Sequence, residues 1–325
     1  MKIAIYGAGA IGALLGAKLH LSGEDVTLIA RGPHLKAMQT SGLTVVESGD
    51  TITAYPSLSE DPKDVGPVDY LFITVKTNGL EAIAENIPYL CNENTAVVTA
   101  QNGIPWWYFY GLDSDFKNTK LNSLDPKGII ESHIENTRVI GCIVYPSAII
   151  SNPGVVTHLE GDRFSLGEPD GSISERCKIL SAALIKAGFK SPVRPNLRNE
   201  IWVKLMGNIA MNPISMLTRG SLKDITEDSL TRDFARNVML EAELVATDLG
   251  VKMQVSVDQR LDGANSVGEH KTSMLQDYEQ GRPIELESII GSVLELADIL
   301  GINVPNIKTL YGLSKMLANK SGIYL

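Results

Sequence analysis

The chain has 325 residues, 44% of them hydrophobic, and a formal net charge of −9 at pH 7. That length exceeds what one ordinary core organises, so two domains are expected, and the acidic balance argues against nucleic acid or an anionic membrane as the partner while leaving room for a local basic pocket. The three cysteines, Cys91, Cys142 and Cys177, stand in no paired or metal-binding motif, which reads as reduced thiols in a cytoplasmic protein with no metal site. The chain opens directly on a strand pattern, so no leader is expected, and no apolar run reaches membrane-spanning length.

Lys2 to Tyr6 reads as a short buried strand. It runs into Gly7-Ala8-Gly9-Ala10-Ile11-Gly12, a G-x-G-x-x-G loop that opens a helix through Leu21; Gly23 stops the helix and a second strand, Val26 to Arg31, follows. The order strand, glycine loop, helix, strand is that of a dinucleotide-binding unit. Gly7 permits the tight turn, Gly9 lets the backbone approach a pyrophosphate, and Gly12 lets helix and strand pack closely. The helix N-terminus, with Ala8, Ala10 and Ile11 in the loop, faces the phosphate charge. An NAD site usually ends its second strand in an acid, whereas Thr27-Leu28-Ile29-Ala30-Arg31 ends in an arginine. That guanidinium fits a 2′-phosphate and predicts NADPH, against the plainer reading of Arg31 as a solvated loop cation.

After a short helix, Pro33 to Gln39, and two strand-like pieces, Leu43 to Val46 and Thr51 to Ala54, comes Asp69 to Lys76, a fully buried parallel strand by its pattern. Ligands of open α/β sheets lie beyond the carboxyl ends of the strands, so Lys76 is a candidate for the cofactor or substrate; the alternative is a lysine capping a strand in solvent. A helix over Leu80 to Leu90 leads to a strand, Ala96 to Ala100, and then to Gln101-Asn102-Gly103. The Asn102 amide could bond the nicotinamide, its ribose or the substrate, although Asn-Gly is also a common turn. Ile104 to Glu135 breaks the pattern with Trp106, Trp107, Tyr108, Phe109 and Tyr110. These either shape a substrate pocket or partner surface, or form an apolar cluster that pins a long loop. Arg138 to Ile149 returns to strand, Gly154 to His158 and Phe164 to Leu166 read as a hairpin-like extension of the sheet, Ser174 to Ala187 as a helix, and Ser191 to Pro195 as a last strand.

From Leu197 the chain is written in helices, which sets the expected domains at 1–196 for dinucleotide binding and 197–325 for substrate and catalysis. Glu200 to Met211 is apolar almost all round, interrupted by Lys204, Asn208 and Asn212 at i, i+4 and i+8. Burying a lysine without a partner is costly, so this stripe is expected to face a wet cleft; a polar seam between helices is the alternative, and Pro213 is expected to end or kink the helix. Further helices are expected at Leu230 to Leu249, at Glu269 to Gln280 with Ser273 and Asp277 on one face, at Ile284 to Leu300, and at Asn306 to Asn319. Glu285 falls in the first turn of its helix, where the helix dipole alone would explain a carboxylate. Hydride delivery to a ketone builds negative charge on oxygen, and Lys204 can meet it with both charge and proton. None of the five histidines lies in a motif that would make it a rival acid.

In order, Gly7-x-Gly9-x-x-Gly12, Arg31, Val75-Lys76, Gln101-Asn102-Gly103, Trp202-x-Lys204-Leu205-x-x-Asn208-x-x-x-Asn212-Pro213, and Ser273-Met274-Leu275-Gln276-Asp277 followed by Gly281-Arg282-Pro283-x-Glu285 resemble the 2-dehydropantoate 2-reductase (ketopantoate reductase) family over nearly the whole chain. The resemblance implies an α/β protein with an N-terminal Rossmann-type domain and an all-helical C-terminal domain. It implies NADPH-dependent reduction of 2-dehydropantoate to pantoate, in cytoplasmic pantothenate (vitamin B5) biosynthesis. It also implies Lys204 as general acid, Glu285 in support of catalysis or binding, Asn208, Asn212 and Ser273 at the substrate, and Lys76 and Asn102 on the cofactor side, Asn102 within reach of the substrate. The aromatic and polar stretch after Gly103 is longer than expected of the pantothenate-pathway members, which leaves a reductase of a different 2-keto acid open. A non-enzymatic NADP-sensing module would need only Gly7 to Arg31, and the Lys204 stripe speaks against it. A second copy of the chain stays open as a partner.

Overall fold

Short, mostly apolar runs become the strands of a largely parallel sheet. The computed structural model describes residues 1–324, and its first part contains β1 (Lys2–Tyr6), α1 (Ala10–Leu21), β2 (Asp25–Ile29), α2 (Gly32–Ser41), β3 (Leu43–Glu47), β4 (Asp50–Ala54), β5 (Ser57–Ser59), β6 (Tyr70–Ile73), α3 (Leu80–Ala84), β7 (Ala96–Thr99), α4 (Ile129–His133), β8 (Val139–Val144), β9 (Ser147–Asn152), β10 (Val155–Glu160), β11 (Phe164–Gly167) and α5 (Glu175–Lys186). Seven strands form one sheet in the order β11-β8-β7-β6-β1-β2-β5, parallel except for β11. Ile3, Ala4 and Ile5 are wholly buried at its centre, as both faces of a parallel sheet are covered. The strand order turns back between β1 and β6, so the loops after these two strands meet at the switch point where open sheets bind ligands.

Four sequence expectations are corrected here. The stretch from Arg138 to Ile149 is two strands, β8 and β9, because Pro146 has no N–H to continue a ladder. β9 and β10 do not extend the main sheet: they join β3 and β4 in a separate sheet of order β4-β3-β10-β9, packed on α1. A polar pin ties that sheet to α1, with Glu47 Oε1 accepting from Lys18 Nζ at 2.8 Å and meeting His158 Nδ1 at 2.5 Å. Finally, Leu80 to Leu90 is α3 followed by a 3₁₀ turn at Ile87–Leu90 around Pro88, and Ser191 to Pro195 makes only the isolated bridge of Val193 to Leu166.

The chain divides into two units. The first takes Met1–Gln101, Phe109–Thr119 and Gly128–Leu197; the second takes Asn102–Tyr108, Lys120–Lys127 and the chain from Arg198 onward. The second unit is helical: α6 (Leu197–Thr218), α7 (Leu222–Glu227), α8 (Ser229–Asp248), α9 (Val257–Val267), α10 (Ser273–Glu279), a π-helical turn at Glu287–Gly291 that runs into α11 (Ser292–Leu300), and α12 (Pro305–Lys320). Pro213 neither ends α6 nor separates it into two elements; the helix continues to Thr218 with Ile214 and Met216 buried, so packing outweighs the lost backbone bond. α7 and α9 were not expected, yet each begins with a capping box, Ser221 with Asp224 and Ser256 with Gln259. The buried Glu241 of α8 caps α12 from outside it, accepting from the backbone N–H groups of Asn306 at 3.0 Å and Ile307 at 2.9 Å.

Candidate active site

In the first unit the glycine loop is shaped by what its residues lack. Gly7 has φ +109°, and a Cβ there would stand 2.7 Å from Val75 Cγ1 and 2.8 Å from Val75 N. A Cβ at Gly12 would run into the Gly7 carbonyl and stand 2.6 Å from Thr74 Oγ1. Gly9 differs: its added Cβ would meet nothing nearer than Gly7 O at 4.0 Å, so packing does not require a glycine there. Its outer side is open to a ligand's approach. The loop is held by Gly7 and Ala8 N–H donating to Ile29 O at 3.1 and 3.2 Å, and by Thr74 Oγ1 donating to Gly7 O at 2.7 Å. Helix α1 starts with no side-chain cap and no acid in its first turn, and its first helical bond is Ala13 N–H to Gly9 O. The N–H groups of Ala10, Ile11 and Gly12 therefore face outward as a ready anion site, which a dinucleotide pyrophosphate fits.

Arg31 lies two residues past β2 as the N-cap of α2, which also lacks a side-chain cap. It is exposed, with no hydrogen bond or ion pair among the described residues. Lys76 is half-buried and does not end its strand as expected: β6 stops at Ile73, since Thr74 turns to bond the glycine loop, and Lys76 opens a 3₁₀ turn three residues on. Gln101 Nε2 donates to Val75 O at 2.8 Å and so links the chain ends beyond β6 and β7.

The second unit brings together three residues far apart in sequence. Lys204 Nζ donates to Asn102 Oδ1 at 2.7 Å, and Asn102 Nδ2 donates to Glu285 Oε2 at 3.1 Å. Both ends of the amide are engaged, which fixes its orientation. Asn208 and Asn212 follow Lys204 on the same face of α6 by helical spacing. Asn212 is only 4% exposed, and its Nδ2 has no partner among the described residues. Ser273 is the exposed first residue of α10 and makes no hydrogen bond to Lys204, Asn102 or Glu285. Glu285 immediately precedes the helix that begins at Leu286 rather than sitting in its first turn, and it accepts from the Asn102 amide.

Several supporting contacts have no counterpart in the sequence pattern. The π turn places the Ser288 carbonyl where it accepts from Ile104 N–H at 2.8 Å and from Ser292 Oγ at 2.9 Å. Gly103, with φ +87°, lies so close that a Cβ would collide with that carbonyl. Glu287 opens the π turn; its Oε1 accepts from Tyr311 OH at 2.6 Å and from Tyr324 OH. Burial, with the Glu287 bond adding to it, holds the Tyr311 hydroxyl well above the usual phenol range. Asp277, 7% exposed, pairs with Arg282 Nη2 at 3.0 Å and so fixes the turn that leads to Glu285. In the aromatic segment, the buried Tyr108 accepts at its hydroxyl from Trp202 Nε1 at 2.8 Å, and burial pushes that phenol up to about 12. Tyr108 is thus committed to packing on α6, two residues from Lys204.

Comparison with known proteins follows the same division of the chain. The family model described as ketopantoate reductase PanE/ApbA matches residues 3–106, and the one described as ketopantoate reductase PanE/ApbA C terminal matches residues 196–318. A 2-dehydropantoate 2-reductase of Mesorhizobium japonicum is 45% identical over 325 residues, covering 100% of both chains. Among solved structures, 2-dehydropantoate 2-reductase from Geobacter metallireducens GS-15 superposes with a TM-score of 0.86 at 29% identity, over 97% of this chain and 99% of that one. A PanE/ApbA family ketopantoate reductase from Ralstonia eutropha JMP134 gives 0.85 at 26%, over 99% and 100%.

Proposed function

Because this chain belongs to the ketopantoate reductase family, we propose that it reduces 2-dehydropantoate to pantoate with NADPH, in cytoplasmic pantothenate biosynthesis. The loop from Gly7 to Gly12, Arg31 and Lys76 would hold NADPH, which would supply the hydride. As the keto carbon receives it, the carbonyl electron pair moves to oxygen, and Lys204 gives that oxygen a proton from Nζ. The ammonium donates one of its N–H groups to Asn102, which sets the direction of Nζ. Glu285 acts through the Asn102 amide, holding its oxygen toward the lysine. Asn208 and Asn212 bind the substrate, the latter through an amide nitrogen whose burial without a partner is costly until an acceptor arrives. Ser273 is assigned to the substrate by the family resemblance alone.

The observation that carries this reading is the Glu285–Asn102–Lys204 chain of hydrogen bonds, which an NADP-sensing module would not need. No described helix is long and apolar enough to cross a membrane, and the substrate is a small molecule. Steady-state NADPH oxidation with ketopantoate beside several bulkier 2-keto acids is the test. Ketopantoate should have the highest kcat/KM; a bulkier acid that exceeds it moves the assignment to that substrate, and no turnover of any 2-keto acid removes the reaction class.

A further inference from the structure

We infer that Arg260 is the carboxylate anchor of the 2-keto acid site; the inference rests on the reaction class proposed above and adds to it the residue that selects an acid over a neutral ketone. The capping box at Ser256 starts α9, and Val257 and Leu261 on that helix are buried, so Arg260, one residue before Leu261, leaves the helix beside its packed side. The guanidinium reaches α6. An ideal Cβ at Gly207 would lie 2.8 Å from Arg260 Nη2, 2.9 Å from Nε and 3.2 Å from Cζ, so the guanidinium fills the place where a side chain at 207 would stand.

The position of Gly207 gives that contact its meaning. Gly207 follows Lys204 by three residues on α6, so the two are neighbours on the helix surface, with Gly207 on the side of Lys204 away from Asn208. A second cation is thereby seated against α6 within one helical turn of the Lys204 backbone. In a 2-keto acid the carboxylate is bonded directly to the carbonyl carbon, so a site that protonates the keto oxygen must meet the carboxylate close by. A planar, permanently charged fork suits a carboxylate better than a second lysine, and it has no proton to lose at working pH. The division of labour is then Lys204 at the reacting oxygen and Arg260 at the carboxylate.

The test compares the parent with Arg260→Ala, Arg260→Lys and Gly207→Ala, using ketopantoate and its neutral internal ester, ketopantoyl lactone. The keto group is the same in both; only the acid carries the carboxylate. Arg260→Ala should lower kcat/KM for the acid about 10- to 100-fold, mostly through KM, with little change for the lactone. Arg260→Lys should recover part of that loss, since it keeps the charge without the fork. Gly207→Ala should reproduce the loss with an undiminished Tm, because its methyl displaces only the mobile end of the arginine while favouring the helix. Equal losses for acid and lactone, or no loss for the acid, overturn the inference. Where the parent reduces only one of the two compounds or neither, quenching of NADPH fluorescence by oxamate, an irreducible carboxylate beside a carbonyl, decides. Weaker oxamate binding in Arg260→Ala supports the anchor; unchanged binding, or none by the parent, overturns it. A parent that binds oxamate but does not reduce ketopantoate fails the proposed substrate and leaves the anchor standing.

Discussion

The glycine loop of the first unit and the Lys204 face of the second are made by opposite means. The loop uses backbone N–H groups within one stretch of a dozen residues, and its side chains matter mainly by being absent: an added Cβ at Gly7 or Gly12 would strike Val75 or Thr74. The Lys204 face uses side chains gathered from residues 102 apart and 183 apart in the chain, Lys204 with Asn102 and Asn102 with Glu285. A site of the first kind fails when an atom is added, and one of the second kind fails when an atom is removed or a distant support slips. The contrast can be broken or sharpened by substitution on each side.

The largest effect is expected at Lys204. Lys204→Ala should lower kcat by about 10²- to 10⁴-fold, the range of general-acid catalysis, while a fluorescence titration finds NADPH affinity unchanged because the phosphate loop belongs to the other unit. Lys204→Arg should not restore turnover, since it keeps the charge and withholds the proton. An arginine variant as active as the parent would reduce Lys204 to an electrostatic anchor and hand the proton to water or another group.

Next is Gly103, an atom-adding change on the side-chain-built face. Gly103→Ala drives a methyl into the Ser288 carbonyl and imposes a left-handed backbone on alanine, so the Asn102 loop must shift off the π turn. Misplacing the amide that orients Lys204 should lower kcat on the order of 10²-fold, with a lower Tm as well. A lower Tm with kcat intact would mean that the π turn seats the loop without orienting the lysine.

These two residues also mark what the sequence could and could not reveal. The loop from Gly7 to Gly12 is legible because its geometry is local: the spacing of three glycines between a strand and a helix specifies it. The Lys204 stripe was legible as a breach in an apolar helix. Its partners were not, because nothing in a one-dimensional pattern says that Asn102 and Glu285 share one amide, or that a π turn presents the Ser288 carbonyl. The small sheet was missed for a related reason. Alternation locates β9 and β10 as strands but does not choose between pairing with β8 and pairing with β3. α7 and α9 lie outside the expected helices, although Ser221-x-x-Asp224 and Ser256-x-x-Gln259 carry the capping-box pattern.

On the loop side, Arg31 is the exception, a side chain proposed to act. Arg31→Ala should weaken NADPH about 10- to 100-fold, the loss of a charged hydrogen-bonding partner, and leave NADH nearly untouched. Isothermal titration with both cofactors checks it. Equal weakening would mean that Arg31 positions α2, whose N-cap it is, and does not read the 2′-phosphate.

The smallest effect is expected at Trp106, and it concerns substrate choice. Trp107, Tyr108 and Phe109 are buried, and Tyr108 is bonded to Trp202, so these three carry the packing of the aromatic segment. Trp106 is half-buried and its Nε1 is shielded from solvent without a hydrogen-bond partner. An indole N–H left so is costly in the folded chain and is relieved by an acceptor on a bound substrate. Trp106→Phe keeps an aromatic ring and deletes the donor. It should leave Tm unchanged or raise it, since an unsatisfied group is lost, and should lower kcat/KM for the preferred 2-keto acid about 3- to 10-fold relative to the others in a panel. Trp107→Phe, a change within the packed part of the segment, should lower Tm and leave the ratios alone. If Trp106→Phe scales every substrate's kcat/KM by one factor, the indole is a packing group like its neighbours, and the length of the aromatic segment says nothing about which keto acid is reduced.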